Sequence, residues 1–207
     1  NFCRGHEDRL VAVGGVHPRL DPDPAGALSH IVERHGIRVL KLHPPHQHFF
    51  VNAYRDGGSL PRLAALYERA QALGIPVMVH TGTSIFPEAR NKYGDPMALD
   101  DVAVDFPGLT IIMAHGGRPL WMETCFFLLR RHANVHMDIS GIPPRLLPRY
   151  FPRLTEVAHK TLFGTDWPSP GVESPGRNLE EFRALSLAPE IQQAILGGTA
   201  ERLLARR

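Results

Sequence analysis

Six short apolar runs punctuate the chain, and each stops at a polar residue that is usually followed by Gly or Pro. Uninterrupted runs of Val, Ile, Leu and Met of this length are typical of strands buried on both faces of a parallel sheet. In such sheets, ligand sites lie at the carboxyl ends of the strands. The runs are VAVGGVHP (11–18), RVLKLHP (38–44), IPVMVHTG (75–82), LTIIMAHGG (109–117), NVHMDISG (134–141) and TLFGTDWP (161–168). Their polar strand-end residues are His17, Lys41, His43, His80, His115, Asp138 and Asp166.

Helical periodicity fills the segments between these runs. Leucines and alanines recur every three or four residues from Ser59, a predicted N-cap, to Leu73, and Asn178 with Glu181 forms a capping-box pattern. Strands and helices therefore alternate along the whole chain, which indicates a parallel α/β architecture. The other predicted helices are Pro24–His35, Asp95–Phe106, Pro119–Arg131 and Glu190–Leu196.

Two α/β folds compete for this pattern. A doubly wound sheet binds its ligand at one switch point, whereas a closed barrel collects residues from many strand ends around one mouth. Nearly every strand here ends in a polar residue, and no GxGxxG follows the first strand. We therefore expect a TIM (β/α)8-type barrel forming a single domain over residues 1–207. Only six units are visible, so about two βα units are expected to be missing from its amino-terminal side.

Composition narrows the functional class. The chain has 207 residues, of which 43% are hydrophobic, and its formal net charge is only +2. It has no basic stripe suited to nucleic acid, no apolar run of about 18 residues that would cross a membrane, and no signal-peptide pattern. We expect a cytoplasmic protein whose partner is a small-molecule substrate rather than nucleic acid or membrane, and leave open whether it forms a homo-oligomer.

His80, His115 and Asp166 each end a different strand, and a barrel would direct all three into one central space. Two imidazoles and a carboxylate are common ligands of a catalytic divalent ion, most often zinc, with manganese as the alternative. Such an ion lowers the pKa of water and polarises a substrate oxygen. The pattern predicts a metal site at these residues, although any one of the histidines could instead be an ordinary core residue.

The chain resembles the amidohydrolase-related (amidohydrolase 2) family of metal-dependent TIM-barrel hydrolases, which also contains aromatic-acid decarboxylases. The resemblance rests on KLHPP (41–45), VMVHTG (77–82), IIMAHGGRP (111–119), NVHMDISG (134–141), LFGTDWP (162–168) and ILGGTAERLL (195–204). It implies that His80 and Asp166 are metal ligands, and that His115 is an acid/base catalyst or an additional ligand. The family takes two further ligands from a His-x-His or Glu-x-His on its first strand, and no such motif precedes Val11.

Other strand-end and loop residues are candidates for substrate binding. Lys41, His43, Arg118 and Trp167 are predicted to contact substrate, and Arg118 could hold a carboxylate together with Arg90 and Lys92 of the long loop 81–95. Asp138 and Ser140 could orient a histidine by accepting the hydrogen of its second ring nitrogen. For each of these residues, an ion-pair or packing role without contact to substrate is the alternative.

Three functions are compatible with this set. The first is a metal-dependent hydrolase in which activated water attacks a small carboxylate-bearing or cyclic substrate, with Asp166 and His115 moving protons. The second is a non-oxidative, metal-dependent decarboxylase of an aromatic or unsaturated acid. The third is an inactive fragment that lacks the first-strand ligands. The same residues serve the first two, so spacing alone does not separate them.

Overall fold

A six-stranded parallel sheet forms the centre of the computed structural model, which describes residues 2–3 and 5–205. The strands follow one another in the sheet in chain order, and every neighbouring pair is parallel. They are β1 (Val13–Gly15), β2 (Val39–Leu42), β3 (Val77–His80), β4 (Ile111–Ala114), β5 (Val135–Asp138) and β6 (Thr161–Leu162). All six predicted strands are present, each shorter than its apolar run.

Helices connect the strands, as the alternating pattern predicts. The α-helices are α1 (Pro24–His35), α2 (Pro44–Gln47), α3 (Arg62–Ala72), α4 (Leu99–Asp105), α5 (Met122–Arg131), α6 (Leu147–Tyr150), α7 (Pro175–Arg183), α8 (Pro189–Gln193) and α9 (Thr199–Leu204). Short 3-10 segments cover Asn91–Gly94, Pro96–Ala98, His115–Gly117, Pro144–Leu146 and Leu154–Lys160, and a π-helical turn at Ala194–Gly198 joins α8 to α9. Sequential parallel strands with intervening helices are the arrangement of a TIM barrel, which has eight such units when complete.

Local capping chemistry explains where α1 begins and ends. The Asp23 side chain accepts a hydrogen bond from Gly26 N at 2.9 Å, and Pro24 occupies the first helical position, where its missing N–H costs nothing. Gly36 ends the helix in the left-handed conformation at φ 64°, which glycine adopts without steric cost. The predicted bounds of this helix are confirmed.

Two predicted caps are wrong. Helix α3 begins after Pro61 with no side-chain cap, so Ser59 does not have that role. Helix α7 begins earlier than the Asn178 pattern suggests, because Ser174 accepts from Arg177 N at 3.1 Å and Pro175 follows it directly. A Ser-Pro pair supplies both a cap and a preformed first turn, and it outcompetes the later Asn.

The core lies between the sheet and its helices. Strands β4 and β5 are buried along their full length, and the side chains at the centre of the sheet include Leu40, Val79, Met113 and Met137. The edge strand β1 differs, since it pairs with β2 alone among the described residues and Val13 is 51% exposed. The prediction that every strand is buried on both faces is therefore wrong for β1. Within residues 2–3 and 5–205, no helix is long and apolar enough to span a bilayer.

Candidate active site at the strand ends

The carboxyl ends of the central strands are level with one another. In the sheet register, His80 on β3 is opposite Ala114 on β4, which is opposite Asp138 on β5. Parallel strands in register therefore bring residues that are 34 and 24 positions apart in sequence to one edge of the sheet. A cavity of about 260 Å³ opens there. Its lining contains Lys41, His43, His80, Thr83, Ser84, Ile85, Phe86, His115, Arg118, Gly141, Asp166, Ser169 and Pro170.

The strand-end residues His17 and Asp138 are absent from this lining, but six of the seven residues predicted as metal ligands, catalysts or substrate contacts belong to it. They are Lys41, His43, His80, His115, Arg118 and Asp166. Trp167 does not: its side chain is 57% exposed and it is absent from the lining. Asp166, directly before it, is in the left-handed conformation at φ 65°. The substrate contact predicted for Trp167 has no support in this geometry.

Two imidazoles stack at the base of the cavity. The rings of His43 and His80 lie 3.9 Å apart between centroids and are inclined by only 20°. His80 is buried, and its Nε2 atom has no hydrogen-bond partner among the described residues. Burial, reinforced by the neighbouring histidines and cations, lowers the pKa of His80 well below its usual range, and burial lowers that of His43 to about 4. Both rings are therefore neutral at physiological pH, the state in which imidazole can donate a lone pair.

His115 occupies the turn that follows β4. Its φ of 68° is in the left-handed region, which costs a non-glycine residue about 1–2 kcal/mol and recurs at functional sites. The ring centroid lies 4.7 Å from that of His80. Its Nδ1 atom is 3.1 Å from the Ser140 carbonyl oxygen and 3.0 Å from Ser140 Oγ. Burial lowers the pKa of His115 to about 3, with Lys41 and Arg118 acting in the same direction.

Asp166 and Arg118 form an ion pair across the mouth, with Asp166 Oδ2 3.6 Å from an Arg118 terminal nitrogen and 4.0 Å from His115 Nδ1. Burial lowers the pKa of Arg118, although Asp166 opposes the shift. The Nε atom of Arg118 is buried and has no hydrogen-bond partner among the described residues. A Cβ at Gly141, which has φ 68°, would lie 2.5 Å from the guanidinium, so a glycine is needed there to make room. The guanidinium is thus held at the cavity with hydrogen-bonding capacity unused.

Lys41 supplies a second cation from the end of β2. Burial lowers the pKa of its amine, and the carboxylates of Asp138 and Asp166 oppose that shift. Asp138 itself is buried, and burial raises its pKa despite the two hydrogen bonds that it accepts from Ser140. The cavity therefore combines cations, neutral imidazoles and carboxylates within one small volume.

The donor types fit a divalent metal ion. His80 offers a neutral imidazole with an unsatisfied buried nitrogen, and Asp166 offers a carboxylate in the lining of the same cavity. Across the described part of the chain, however, no group of three or more His, Cys, Asp or Glu side chains is assembled as a metal site. The metal roles of His80, Asp166 and His115 remain predictions based on chemistry and proximity.

The loop after β3 contributes residues that the sequence interpretation missed. Ser84 Oγ lies 3.0 Å from His46 Nε2, and Phe86 packs near the same ring with centroids 5.9 Å apart. Both Ser84 and Phe86 line the cavity, whereas Arg90 and Lys92, which were expected to help hold a carboxylate, do not. The length of this loop indicated its importance, but no local pattern tells which of its side chains turn inward.

Comparison with known proteins agrees with this architecture. A sequence model of the amidohydrolase family matches residues 1–206. Among solved structures, an uncharacterized TIM-barrel protein from Bordetella bronchiseptica is 27% identical, with a TM-score of 0.77 over 99% of this chain and 69% of its own. No curated protein matches.

Two further structures share the fold at lower identity. One is a probable 2-pyrone-4,6-dicarboxylic acid hydrolase from Acinetobacter baumannii with citric acid bound (17% identity, TM-score 0.71, covering 99% of this chain and 76% of that one). The other is a dihydroxybenzoic acid decarboxylase from Polaromonas sp. JS666 with bound manganese and the inhibitor 2-nitroresorcinol (18% identity, TM-score 0.63, covering 88% and 65%). The family match over residues 1–206 and the six-stranded parallel sheet together show that this chain is a TIM-barrel member of the amidohydrolase family.

Proposed function

We propose that this protein is a metal-dependent hydrolase that acts on a small substrate bearing a carboxylate. The observation that carries the proposal is the placement of two cations, Arg118 and Lys41, in the same cavity as His80, His115 and Asp166. A guanidinium that is partly withdrawn from water and has an unpaired Nε is suited to bind a carboxylate. A volume of about 260 Å³ limits the substrate to a small or cyclic molecule.

The side chains divide into two roles. His80 and Asp166 would hold a divalent ion, zinc or manganese, with His115 as a neighbouring acid/base group or a further ligand. When bound, such an ion activates water and polarises the scissile group of the substrate. Arg118 orients the substrate carboxylate, and its terminal nitrogen lies 3.6 Å from Asp166 Oδ2. Asp166 and His115 are the groups in the cavity that would take the proton of the attacking water and return it to the leaving group.

Decarboxylation of an aromatic or unsaturated acid is the alternative. The fold similarity to a manganese-containing decarboxylase and the amine of Lys41 in the cavity lining support it, because a cation beside the substrate could deliver a proton to the carbon that loses CO2. Arg118 has the same orienting role in both reactions. The third possibility is an inactive chain, and the metal-binding test described next would identify it.

Metal content is the first test. Purified protein is equilibrated with zinc or manganese, desalted and analysed for bound metal, and His80→Ala and Asp166→Asn are compared with His30→Ala, an exposed histidine on α1. We expect stoichiometric metal in the wild type and the control, with at least a tenfold loss of affinity in the two site variants. Retention of metal by both site variants would contradict the assignment, and no binding by any of the proteins would support the inactive chain.

Product analysis separates the two reactions. The metal-loaded protein is offered carboxylate-bearing lactones, esters and amides, and aromatic acids, with acid release and CO2 release measured in parallel. Hydrolysis without CO2 supports the proposal, whereas CO2 release without hydrolysis replaces it with decarboxylation.

A further inference from the structure

We propose that Asp138 and Ser140 are positioning residues that hold the ring of His115 with its hydrogen on Nδ1, which leaves Nε2 as the nitrogen that acts in the site. This inference rests on the proposed function for its purpose, but its geometry and its test do not depend on any reaction. The three residues come from the ends of β4 and β5 and are all buried.

The hydrogen bonds run in one direction from the carboxylate. Asp138 Oδ1 accepts from Ser140 N at 2.9 Å, and Asp138 Oδ2 accepts from the Ser140 hydroxyl at 2.5 Å. Since a serine hydroxyl has only one hydrogen, Oγ then faces His115 Nδ1 as an acceptor, at 3.0 Å. The carboxylate thus fixes which way the hydroxyl points.

A second acceptor faces the same ring nitrogen. The carbonyl oxygen of Ser140 lies 3.1 Å from His115 Nδ1, and the nearest carboxylate, Asp166 Oδ2, lies 4.0 Å away. A carbonyl or a carboxylate oxygen can only accept, so every polar group around Nδ1 requires it to be the donor. Close packing reinforces the arrangement, because a Cβ at Gly164 would lie 2.5 Å from Asp138 Oδ1 and 3.0 Å from Ser140 Cβ.

The consequence concerns the opposite nitrogen. With the hydrogen on Nδ1, a neutral ring carries its lone pair on Nε2, the form needed to accept a proton or to bind a metal. Asp138 therefore acts on the site through Ser140 without touching the substrate. Its burial is explained by this role, since a buried carboxylate is costly unless it is hydrogen-bonded.

The test replaces Asp138 so that the hydrogen bonds linking it through Ser140 to His115 run in the opposite direction. In Asp138→Asn, the amide oxygen can keep the bond from Ser140 N, but the amide nitrogen becomes a donor to Oγ, and the serine hydrogen must turn towards His115 Nδ1. We expect the hydrogen of His115 to move from Nδ1 to Nε2 in a substantial fraction of molecules. In Ser140→Ala, the carbonyl acceptor remains, so the Nδ1–H form should persist.

The double variant Asp138→Asn/Ser140→Ala gives the sharpest outcome. Without the hydroxyl, the asparagine has no route to His115, and the Nδ1–H form should return. Mere loosening of the structure would not restore a tautomer when a second substitution is added. Histidine ¹⁵N labelling with long-range ¹H–¹⁵N correlation spectra reads the tautomer directly, and His115→Gln assigns the signals. His136, on the same strand as Asp138, provides an internal reference that should not change.

Two results would overturn the inference: a wild-type His115 that carries its hydrogen on Nε2, or an Asp138→Asn variant with an unchanged tautomer. Once a substrate is known, Asp138→Asn should lower kcat about 10- to 100-fold with little change in KM. The expected tautomers in a protein without hydrolase activity would uphold the positioning role and defeat the proposed function alone.

Discussion

The buried histidine His136 makes stability depend on pH in a way that can be calculated. Its side chain is 8% exposed on β5, and Nδ1 has no partner among the described residues. Burial lowers its pKa from 6.5 to about 4, and Lys160 adds to the shift. Well above pH 6.5 the ring is neutral in both the folded and the unfolded state and makes no difference to stability. As the pH falls from 6.5 towards 4, His136 becomes protonated in the unfolded chain but stays neutral in the folded protein. The free energy of unfolding therefore falls.

The magnitude follows from the two pKa values. At pH 5, protonation of the unfolded chain alone costs about 2 kcal/mol of stability, given that one pKa unit corresponds to about 1.4 kcal/mol. Urea unfolding at pH 7 and pH 5 measures this directly. The wild type includes similar contributions from the other buried histidines, which cancel when it is compared with His136→Phe. We expect the variant to lose about 2 kcal/mol less than the wild type between the two pH values.

A control removes the general effect of deleting a histidine. His30→Gln replaces an exposed ring on α1 and is measured at the same two pH values, so that an effect of losing any histidine would appear in both variants. Equal losses of stability in the wild type and His136→Phe would refute the reasoning, because they would show that the folded protein protonates His136 as readily as the unfolded chain does.

Substitutions at three other positions test the site and the contacts that support it. Arg118→Met should raise KM for a carboxylate substrate about 30- to 1000-fold, because the substrate loses a partly buried charge partner, and Arg118→Lys should raise it less. Equal KM values for the wild type and Arg118→Met in steady-state assays would contradict this role. Gly82→Ala places a Cβ 2.2 Å from the Arg118 carbonyl oxygen at φ 94°, so we expect a loss of more than about 2 kcal/mol by urea unfolding. Asn134→Ala leaves three backbone carbonyls without the donor that now bonds them at 3.0–3.4 Å, which should cost about 1–3 kcal/mol; an unchanged denaturation midpoint would argue against it.

The strands could be predicted because their signal is local. An apolar run bounded by Gly or Pro suits a strand covered on both faces, and every such run contains one. Helix beginnings were less predictable, since two capping patterns close together compete. Ser174 with Pro175 and Asn178 with Glu181 both suit the start of α7, and the first is used. The Ser-Pro pair is visible in the sequence and favours the earlier start of helix α7.

Sequence pattern alone is enough to place most of the residues at the strand ends, and with them the fold class and six of the residues that line the cavity. This is possible because residue alternation, chain order and turn residues are properties of neighbouring positions. Tertiary structure was needed to show that Trp167 is exposed, that His43 stacks on His80, and that His115 contacts Ser140. Those contacts join positions about 25 or more residues apart. They depend on strand register, loop packing and the left-handed turns at His115 and Asp166, which are set by the whole fold rather than by any local pattern.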